Sequence, residues 1–214
     1  MSKLCRTKCK SESDWLETRL KGIGGSEAAA IVGKSSWMSS RDLWELKAGL
    51  KAPKDISGNI FVEQGKRMEG AIRELYKAYR PEYKVSYHKY DLLFQKDRPW
   101  LFATLDGEIT DDKKRKGILE VKTSTPQSHE AWSQWDCQIP QHYLIQILHQ
   151  LLATGWDFVD LTALLINKDD DFFVRTYRFE RADCEEDLAW LLSKEEAFWE
   201  SVQNKILPPM TLVF

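Results

Sequence analysis

The pattern of hydrophobic and polar positions divides the chain into helical and extended segments. In two long stretches, residues 59–79 and 139–154, apolar residues recur every three or four positions, which predicts amphipathic helices. Further helices are predicted over residues 13–21, 27–32, 41–48 and 183–204. Ser26 and Ser40 precede two of these and are the expected N-caps, and Pro208-Pro209 stops the last one.

Segments in which apolar and polar residues alternate predict strands. They cover residues 84–90, 91–95, 100–105, 108–110, 118–123, 158–166 and 172–179. The first five of these segments predict a small sheet. Residues 124–138 show no regular pattern, and Trp132 and Trp135 indicate a loop or short helix that packs or contacts a ligand. This order of helices and strands predicts an α/β or α+β fold in a single domain.

Length and composition indicate a globular protein in a reducing compartment. The chain has 214 residues, 43% of them hydrophobic and 30% charged, which is enough for one buried core. No apolar run approaches the roughly 20 residues that span a bilayer, and the start of the chain lacks the apolar core of a secretory signal. We therefore expect no membrane contact, a cytoplasmic location, a flexible tail over residues 1–12 and one domain over residues 13–214. The four cysteines lack metal-binding spacing and are expected to be free thiols.

The charges are unevenly distributed, although the formal net charge is only −2. Residues 1–54 carry eleven lysine and arginine residues against six acidic ones, whereas residues 180–200 carry two against eight. The basic N-terminal part is the better candidate for contact with phosphate groups. The acidic part is expected to face solvent or a protein partner.

A candidate site for chemistry lies between residues 100 and 123. Glu120 and Lys122 are two positions apart in a predicted strand and therefore share one face of it. The polar residues 111–116 are expected to form a turn that folds this strand back and brings Asp106 close to Glu120. Two carboxylates and a lysine suit a Mg²⁺ ion with a water positioned to attack a phosphodiester. A surface ion pair is the simpler interpretation of the same pattern, which arises often by chance.

Other stretches could complete such a site. Arg19 lies near the end of the first predicted helix, and Ser26 follows a glycine-rich stretch at the start of the next. Unpaired N–H groups at a helix start and a nearby arginine form a natural phosphate site, although a glycine-rich linker with an ordinary cap fits equally well. Glu69 lies beside the apolar stripe of its long helix and could point inward.

Two groups of side chains each allow two interpretations. His142, Gln146 and His149 lie along one stripe of the second long helix. Histidines at this spacing can bind zinc, but no acid or cysteine completes the set, so we favour Gln146 facing the carboxylates. Trp37 and Met38 lie in a polar turn, where core anchoring is the simpler interpretation and a wedge against a DNA end is the alternative.

Taken together, these stretches resemble the YqaJ and phage lambda exonuclease group of the PD-(D/E)xK nuclease superfamily. The likeness rests on an ordered set of motifs between about residue 13 and residue 205. They are Arg19 followed by Gly-Ile-Gly-Gly-Ser26, the long helix with Glu69, Ala-Thr-Leu-Asp106-Gly, Leu-Glu120-Val-Lys122 and Pro140-x-x-Tyr143-x-x-Gln146. Leu105 occupies the place of the proline in the superfamily's name, a position that supplies no ligand.

The resemblance implies a restriction-endonuclease-like core, in which helices flank a mixed central β-sheet. It implies a Mg²⁺-dependent 5′-to-3′ exonuclease that digests one strand of linear double-stranded DNA from 5′-phosphorylated ends and leaves a 3′ single strand for recombination. Two ions are expected per site, and Mn²⁺ is expected to substitute. Relatives in this group form ring-shaped homotrimers and act with a single-strand annealing protein, so both are expected here, in a bacterial or host cytoplasm and with a phage or prophage origin.

The resemblance also implies a role for each motif residue. The metal and catalytic set is Asp106, Glu120, the Val121 backbone carbonyl, Glu69 and Lys122, of which Lys122 serves the attacking water. The set at the 5′-terminal phosphate is Arg19, Ser26, Thr104 and Gln146. Two alternatives stay open: an endonuclease of the same fold, of the restriction or junction-cleaving type, and a DNA-binding module that has lost catalysis.

Overall fold

The computed structural model describes residues 3–55 and 58–208, and within them the strands form two β-sheets. The first sheet has the order β1-β4-β5-β2, with β1 at Leu4–Lys8, β2 at Ile23–Gly24, β4 at Asp91–Gln95 and β5 at Leu101–Ala103. The second has the order β3-β6-β7-β8-β9, with β3 at Lys84–Ser86, β6 at Gly107–Thr110, β7 at Lys116–Ser124, β8 at Phe158–Ile166 and β9 at Phe172–Glu180. The helices are α1 (Glu12–Arg19), α2 (Gly25–Ile31), α3 (Ser40–Lys47), α4 (Ile60–Tyr79), α5 (His129–Ser133), α6 (Gln141–Thr154) and α7 (Glu185–Gln203).

The second sheet is mixed, because β7 and β8 run parallel whereas its other neighbouring strands run antiparallel. α4 packs against β7 and β8, with Ile72 and Tyr76 buried between them. α6 packs against strands of both sheets, and its Ile147 and Leu151 are completely buried in the shared core. β8 is buried along its whole length, as expected for a central strand covered on both faces. The predicted mixed sheet flanked by helices is therefore confirmed.

The predicted small sheet is divided between the two observed sheets. β4 and β5 belong to the first, whereas β3, β6 and β7 belong to the second, so the chain crosses between them at residues 104–106. β5 already pairs with β4 on one side and β2 on the other, so β6 must find its partner elsewhere. Alternation along a strand predicts which face is buried but not which strands pair.

The segment predicted to be a flexible tail contains an ordered strand instead. β1 pairs antiparallel with β4 along its whole length. Arg6 of this strand contacts Asp91 at 2.8 Å and Glu108 at 2.5 Å, so it joins the first sheet to β6 of the second. A polar segment can form an edge strand because pairing uses backbone groups, which the side-chain pattern does not reveal. Residues 1 and 2 of the predicted tail lie outside the described residues.

Two predicted helix caps are displaced. α2 is preceded by Gly24, whose N–H donates to the Glu27 carboxylate at 2.9 Å, so Ser26 lies inside the helix. α3 is capped by Ser39 and not by Ser40, because the Ser39 hydroxyl accepts a hydrogen bond from the third residue of the helix. Ser39 and Ser40 are adjacent and have equal capping propensity, whereas Gly24 is a weaker capping residue than Ser26, so in both places the packing of the helix and not propensity decides which residue serves.

The remaining predictions concern the connecting segments. Residues 124–138 contain the short helix α5, and Trp132 and Trp135 pack against aromatic rings of β9, as the packing interpretation predicts. α7 ends at Gln203, before Pro208, whereas Pro209 lies outside the described residues. Among the helices that the structure describes, none is long and apolar enough to cross a membrane.

Candidate active site

A cleft of about 430 Å³ opens at the junction of the two sheets with α1, α2, α4 and α6. Its walls include every side chain predicted for the site, together with Val121. They are Arg19, Ser26, Glu69, Thr104, Asp106, Glu120, Lys122 and Gln146. The fold therefore brings together residues that are scattered over more than half of the sequence.

Asp106 and Glu120 lie side by side at the end of the β6–β7 ladder. The last pair of this ladder is Gly107 opposite Leu119, so the next residues outward are the two acids. Asp106 Oδ2 accepts a hydrogen bond from the Val121 N–H at 2.8 Å, which fixes this carboxylate against β7. The antiparallel return predicted from the polar turn is confirmed.

Glu120 is buried and held by three side-chain donors. Lys122 Nζ and Gln146 Nε2 lie 2.6 Å and 2.5 Å from Glu120 Oε1, and Gln150 Nε2 lies 2.6 Å from Oε2. These donors replace the hydrogen bonds to water that the carboxylate loses on burial. Burial by itself lowers the pKa of the Lys122 ammonium, but the charges of Glu120 and Asp106 raise this pKa overall. Lys122 is therefore a charged hydrogen-bond donor in the cleft.

Asp106 lies in a concentration of negative charge. Burial raises its pKa well above the ordinary value, and repulsion from Glu120 and Glu69 raises it further, while Lys122 and the backbone N–H of the next strand offset only part of this. Glu69 enters the cleft from α4, so its predicted inward direction is confirmed. Three carboxylates from separate segments of the chain thus line one end of the cleft, where a divalent cation would relieve their repulsion.

Arg73 supports this group of acids, although the sequence pattern did not single it out. Its Nη1 donates to the Asp106 carbonyl oxygen at 2.5 Å and lies 3.3 Å from Glu69 Oε1. The Tyr87 ring covers its guanidinium at 3.8 Å. Arg73 thereby ties α4 to the turn before β6 and holds Glu69 beside Asp106. Its position one helical turn after Glu69 was the available signal.

The other end of the cleft carries a positive group. Arg19 Nη2 donates to Ser26 Oγ at 3.1 Å. The Arg19 guanidinium lies 4.7 Å over the Trp15 ring, and Trp15 Nε1 donates to Thr104 Oγ1 at 3.0 Å. These contacts bring together three of the four residues predicted for the 5′-phosphate. Gln146, the fourth, lies at the carboxylate end instead.

Trp15 is a further residue of this positive group that the sequence pattern did not reveal. It lies one helical turn before Arg19 on α1, which places an aromatic ring and a cation on one face of the helix. A tryptophan near a helix start is more often a packing residue, so the spacing alone does not assign it to a site. The hydrogen bond from Trp15 to Thr104 is visible only in the folded chain, where the end of β5 lies beside α1.

A buried lysine joins the helices behind the positive group. The Lys47 side chain is completely buried, and its Nζ donates to the Arg19 carbonyl oxygen at 2.8 Å and contacts Glu27 at 2.8 Å. Burial lowers the pKa of Lys47, and the charge of Glu27 offsets part of this effect. Glu27 also accepts a hydrogen bond from the Gly24 N–H. Lys47 and Glu27 together therefore connect α1, α2 and α3 directly behind Ser26.

The structure places the two histidines considered as zinc ligands in different surroundings. It does the same for the two residues of the polar turn. His149 is completely buried and contacts Glu195 of α7 at 2.7 Å, whereas the His142 ring meets the Trp37 ring at 5.2 Å. Trp37 is 58% exposed, so the core-anchor interpretation is wrong for it. Met38 packs against the core cluster of α2 and α3, so the same interpretation is right for this residue.

The carboxylate end fits a hard divalent cation such as Mg²⁺. Within residues 3–55 and 58–208, no group of three or more His, Cys, Asp or Glu side chains is arranged so that these side chains alone could hold a metal ion. Mg²⁺ prefers oxygen ligands and is commonly held by one or two carboxylates, with water and substrate phosphate completing its shell. Asp106 and Glu120, with Val121 on the same wall and Glu69 nearby, provide such an open set of oxygens.

Solved structures identify the class of fold. An alkaline exonuclease, LHK-Exo from Laribacter hongkongensis, superposes with a TM-score of 0.70 at 20% identity, over 91% of this chain and 94% of that one. A phage-related exonuclease from Haemophilus somnus 129PT superposes with a TM-score of 0.57 at 13% identity, over 86% of this chain and 96% of that one. The chain therefore has the fold of these exonucleases.

The sequence then identifies the family. Residues 14–157 match the model of the YqaJ-like viral recombinase domain, and the chain is 30% identical over 148 residues to protein YqaJ from Bacillus subtilis (strain 168). The chain belongs to the YqaJ-like viral recombinase domain family. The match to the Bacillus protein covers 69% of this chain and 44% of that protein, so the chain spans less than half of the length of this relative.

Proposed function

We propose that the chain is a metal-dependent deoxyribonuclease, a 5′-to-3′ exonuclease that digests one strand of linear double-stranded DNA from 5′-phosphorylated ends. The product is a 3′ single strand for recombination. The observation that carries this proposal is a single cleft. It has three carboxylates, Asp106, Glu120 and Glu69, at one end and Arg19 in contact with Ser26 at the other. The names of the structural neighbours support the reaction class, and one LHK-Exo structure is a complex with dAMP, a mononucleotide.

The carboxylate end is suited to phosphodiester hydrolysis. Asp106 and Glu120, with the Val121 carbonyl, would hold Mg²⁺ or Mn²⁺, two ions per site in this proposal, and Glu69 would hold an ion or its water. The ions would supply neutralisation of the attacked phosphate and a water of lowered pKa. Lys122 donates a hydrogen bond toward the attacking water and the attacked phosphate, and so stabilises the charge that develops there.

The Arg19 end is suited to the 5′-terminal phosphate. A guanidinium with a neighbouring hydroxyl binds a phosphate through charge-assisted hydrogen bonds. Arg19 and Ser26 already contact each other, and Thr104 is joined to Arg19 through Trp15. Holding the terminal phosphate at this end while the adjacent phosphodiester lies at the carboxylates would release single nucleotides from a 5′ end.

A time course on end-labelled linear duplex with Mg²⁺ tests the proposal, with 5′-phosphate ends compared with 5′-hydroxyl ends. We expect rapid release of 5′ label as mononucleotide, with faster digestion of the phosphorylated ends. Rapid nicking of closed circular DNA would instead indicate an endonuclease of the same fold. No cleavage with either Mg²⁺ or Mn²⁺ would indicate a DNA-binding module.

Replacing Arg19 with alanine is expected to weaken the preference for phosphorylated ends by about 10- to 100-fold, because a charge-assisted contact worth about 1.5–3 kcal/mol is lost. The measurement is the ratio of digestion rates on the two kinds of end. Arg41→Ala is a matched control, because Arg41 is an exposed arginine that pairs with Glu45 on α3. An unchanged ratio in Arg19→Ala would contradict the role proposed for this residue.

We further propose that the chain assembles as a homotrimeric ring and acts with a single-strand annealing protein. Both proposals rest on membership of the family and not on a contact within the chain. Light scattering coupled to size exclusion measures the mass of the assembly, and a monomeric mass at micromolar concentration would overturn the ring.

A further inference from the structure

A second glutamine, Gln150, holds the carboxylate at the centre of the cleft. It follows Gln146 by one turn of α6, so both side chains leave the same face of the helix. Gln146 and Lys122 donate to Glu120 Oε1, whereas Gln150 is the one donor to Oε2 among the described residues, at 2.6 Å. Gln150 is 1% exposed, so its amide contacts the acid without competition from bulk water.

The direction of the Gln150 amide is determined by its partner. An ionised carboxylate only accepts hydrogen bonds, so the amide must present its NH₂ group to Glu120 and turn its oxygen away. The Gln150 Oε1 atom is buried, and among the described residues it has no hydrogen-bond partner. The contact with Glu120 is therefore the interaction that orients this amide.

The number of acceptor positions on Glu120 shows what this contact does. A carboxylate has about four lone-pair positions, two on each oxygen. Two donors occupy the positions on Oε1 and one donor occupies a position on Oε2. The remaining position belongs to Oε2, the oxygen that Gln150 holds. Without Gln150, the carboxylate could rotate and exchange its two oxygens.

Close packing of α2 on α6 keeps the two glutamines in place. A Cβ atom added to Gly25 would lie 3.2 Å from Gln146 Cγ and 3.4 Å from Gln150 Cγ. The absence of a side chain at this position lets the start of α2 lie directly against both glutamine stems. Part of the glycine-rich motif therefore serves the carboxylate end of the cleft, in addition to the Arg19 end.

We propose that Gln150 is a positioning residue that orients the Glu120 carboxylate, so that Oε2 presents its free lone pair to a divalent cation. The inference rests on the proposed metal-dependent nuclease function. In this proposal, the affinity of the site for the cation depends on Gln150, although Gln150 does not itself bind the cation. Neighbours that orient a metal ligand typically change metal affinity by about 10- to 100-fold when they are replaced.

The test replaces Gln150 with methionine, which has a similar length and shape and lacks the donor. The binding of Mn²⁺ in the absence of DNA is measured by isothermal titration calorimetry, and the Mg²⁺ concentration for half-maximal cleavage is measured separately. We expect both constants to rise by about 10- to 100-fold in Gln150→Met, while the KM for DNA stays unchanged. If this variant does not fold, Gln150→Asn retains a polar amide that is too short to reach Glu120, and the same result is expected.

Gln95→Met is the matched control. Gln95 is also a buried glutamine whose Oε1 has no hydrogen-bond partner within the described part of the chain, and its Nε2 donates to the Thr154 carbonyl oxygen at the far end of α6, at 2.8 Å. This substitution is expected to lower stability without changing Mn²⁺ affinity. The inference, but not the proposed function, would be overturned if Gln150→Met bound Mn²⁺ as tightly as the unsubstituted chain. An equal loss of Mn²⁺ affinity in Gln150→Met and Gln95→Met would have the same meaning. Absence of Mn²⁺ binding by the unsubstituted chain would overturn the proposed function and the inference with it.

Discussion

Replacing Lys122 with alanine is expected to lower the rate of DNA cleavage by about 10²–10³-fold, the range found when one hydrogen-bond donor that stabilises charge in the transition state is lost. Lys122 is the cation closest to Glu120, at 2.6 Å, and its ammonium would donate to the water or phosphate that reacts. Glu120→Ala is expected to abolish cleavage, because it removes a proposed metal ligand and leaves three donors without their acceptor. Cleavage is measured on linear duplex and DNA binding on the same duplex without metal, where it is expected to persist.

Lys116→Ala is the matched control for Lys122→Ala. Lys116 lies on the same strand and, six positions away, on the same face, but it is exposed and donates to Thr110 at 2.9 Å. Its substitution is expected to leave the cleavage rate within about a factor of two, as for most exposed positions. A Lys122→Ala protein that cleaves DNA at the unsubstituted rate would show that Lys122 is only half of a structural ion pair.

The second large effect is expected at His149, in the core between α6, α7 and β5. Nδ1 lies 2.7 Å from Glu195 Oε1 and Nε2 lies 3.0 Å from the Phe102 carbonyl oxygen, so both ring nitrogens face acceptors. Burial lowers the pKa of His149, but the charge of Glu195, the two hydrogen bonds and the charge of Glu27 on α2 raise this pKa overall. The folded protein therefore holds the imidazolium at a pH at which the unfolded chain has lost the proton.

The raised pKa makes stability depend on pH in a defined direction. The contribution of His149 to the free energy of unfolding is complete below the unfolded pKa of about 6.5 and is lost as pH rises through the higher folded pKa. His149→Gln is expected to lower the free energy of unfolding by about 3–5 kcal/mol at about pH 6, because it leaves Glu195 buried without its charged partner. The difference between the two proteins is expected to shrink toward about pH 9.

Urea unfolding of both proteins at several pH values measures this difference. His88→Gln is the control, because His88 is exposed and lies 3.9 Å from Glu108, so its substitution is expected to change stability by less than about 0.5 kcal/mol. A difference between unsubstituted protein and His149→Gln that stays constant from about pH 6 to about pH 9 would show that the pKa of His149 is not raised in the folded state.

The carboxylate end of the site could be predicted from sequence because its geometry is local. Glu120 and Lys122 share a face through the two-residue repeat of a strand, and a short polar turn returns the chain to Asp106. Gln150 and Arg73 could not be predicted in the same way. Each lies at helical spacing from a predicted residue, but helical spacing only places side chains on one face and does not show which acid that face meets.

Contacts between residues from distant parts of the chain could likewise not be predicted from the sequence pattern. Arg6 joins the two sheets, and the pairing of β1 with β4 places a polar segment in the first sheet. Backbone pairing leaves no trace in the alternation of side chains. The sequence pattern gave His149 no partner, whereas in the folded chain α7 brings Glu195 against it.

The sequence by itself determined the elements with strong periodicity, the order of the motifs and the family, because these depend on residues close together along the chain or on a match in sequence. Tertiary structure decided how the strands divide into two sheets, how Arg19 and Ser26 meet Trp15 and Thr104, and how α6 presents two glutamines to Glu120. The physical reason is that pairing and packing energies depend on which surfaces meet in space, and many surfaces along one chain satisfy the same local pattern.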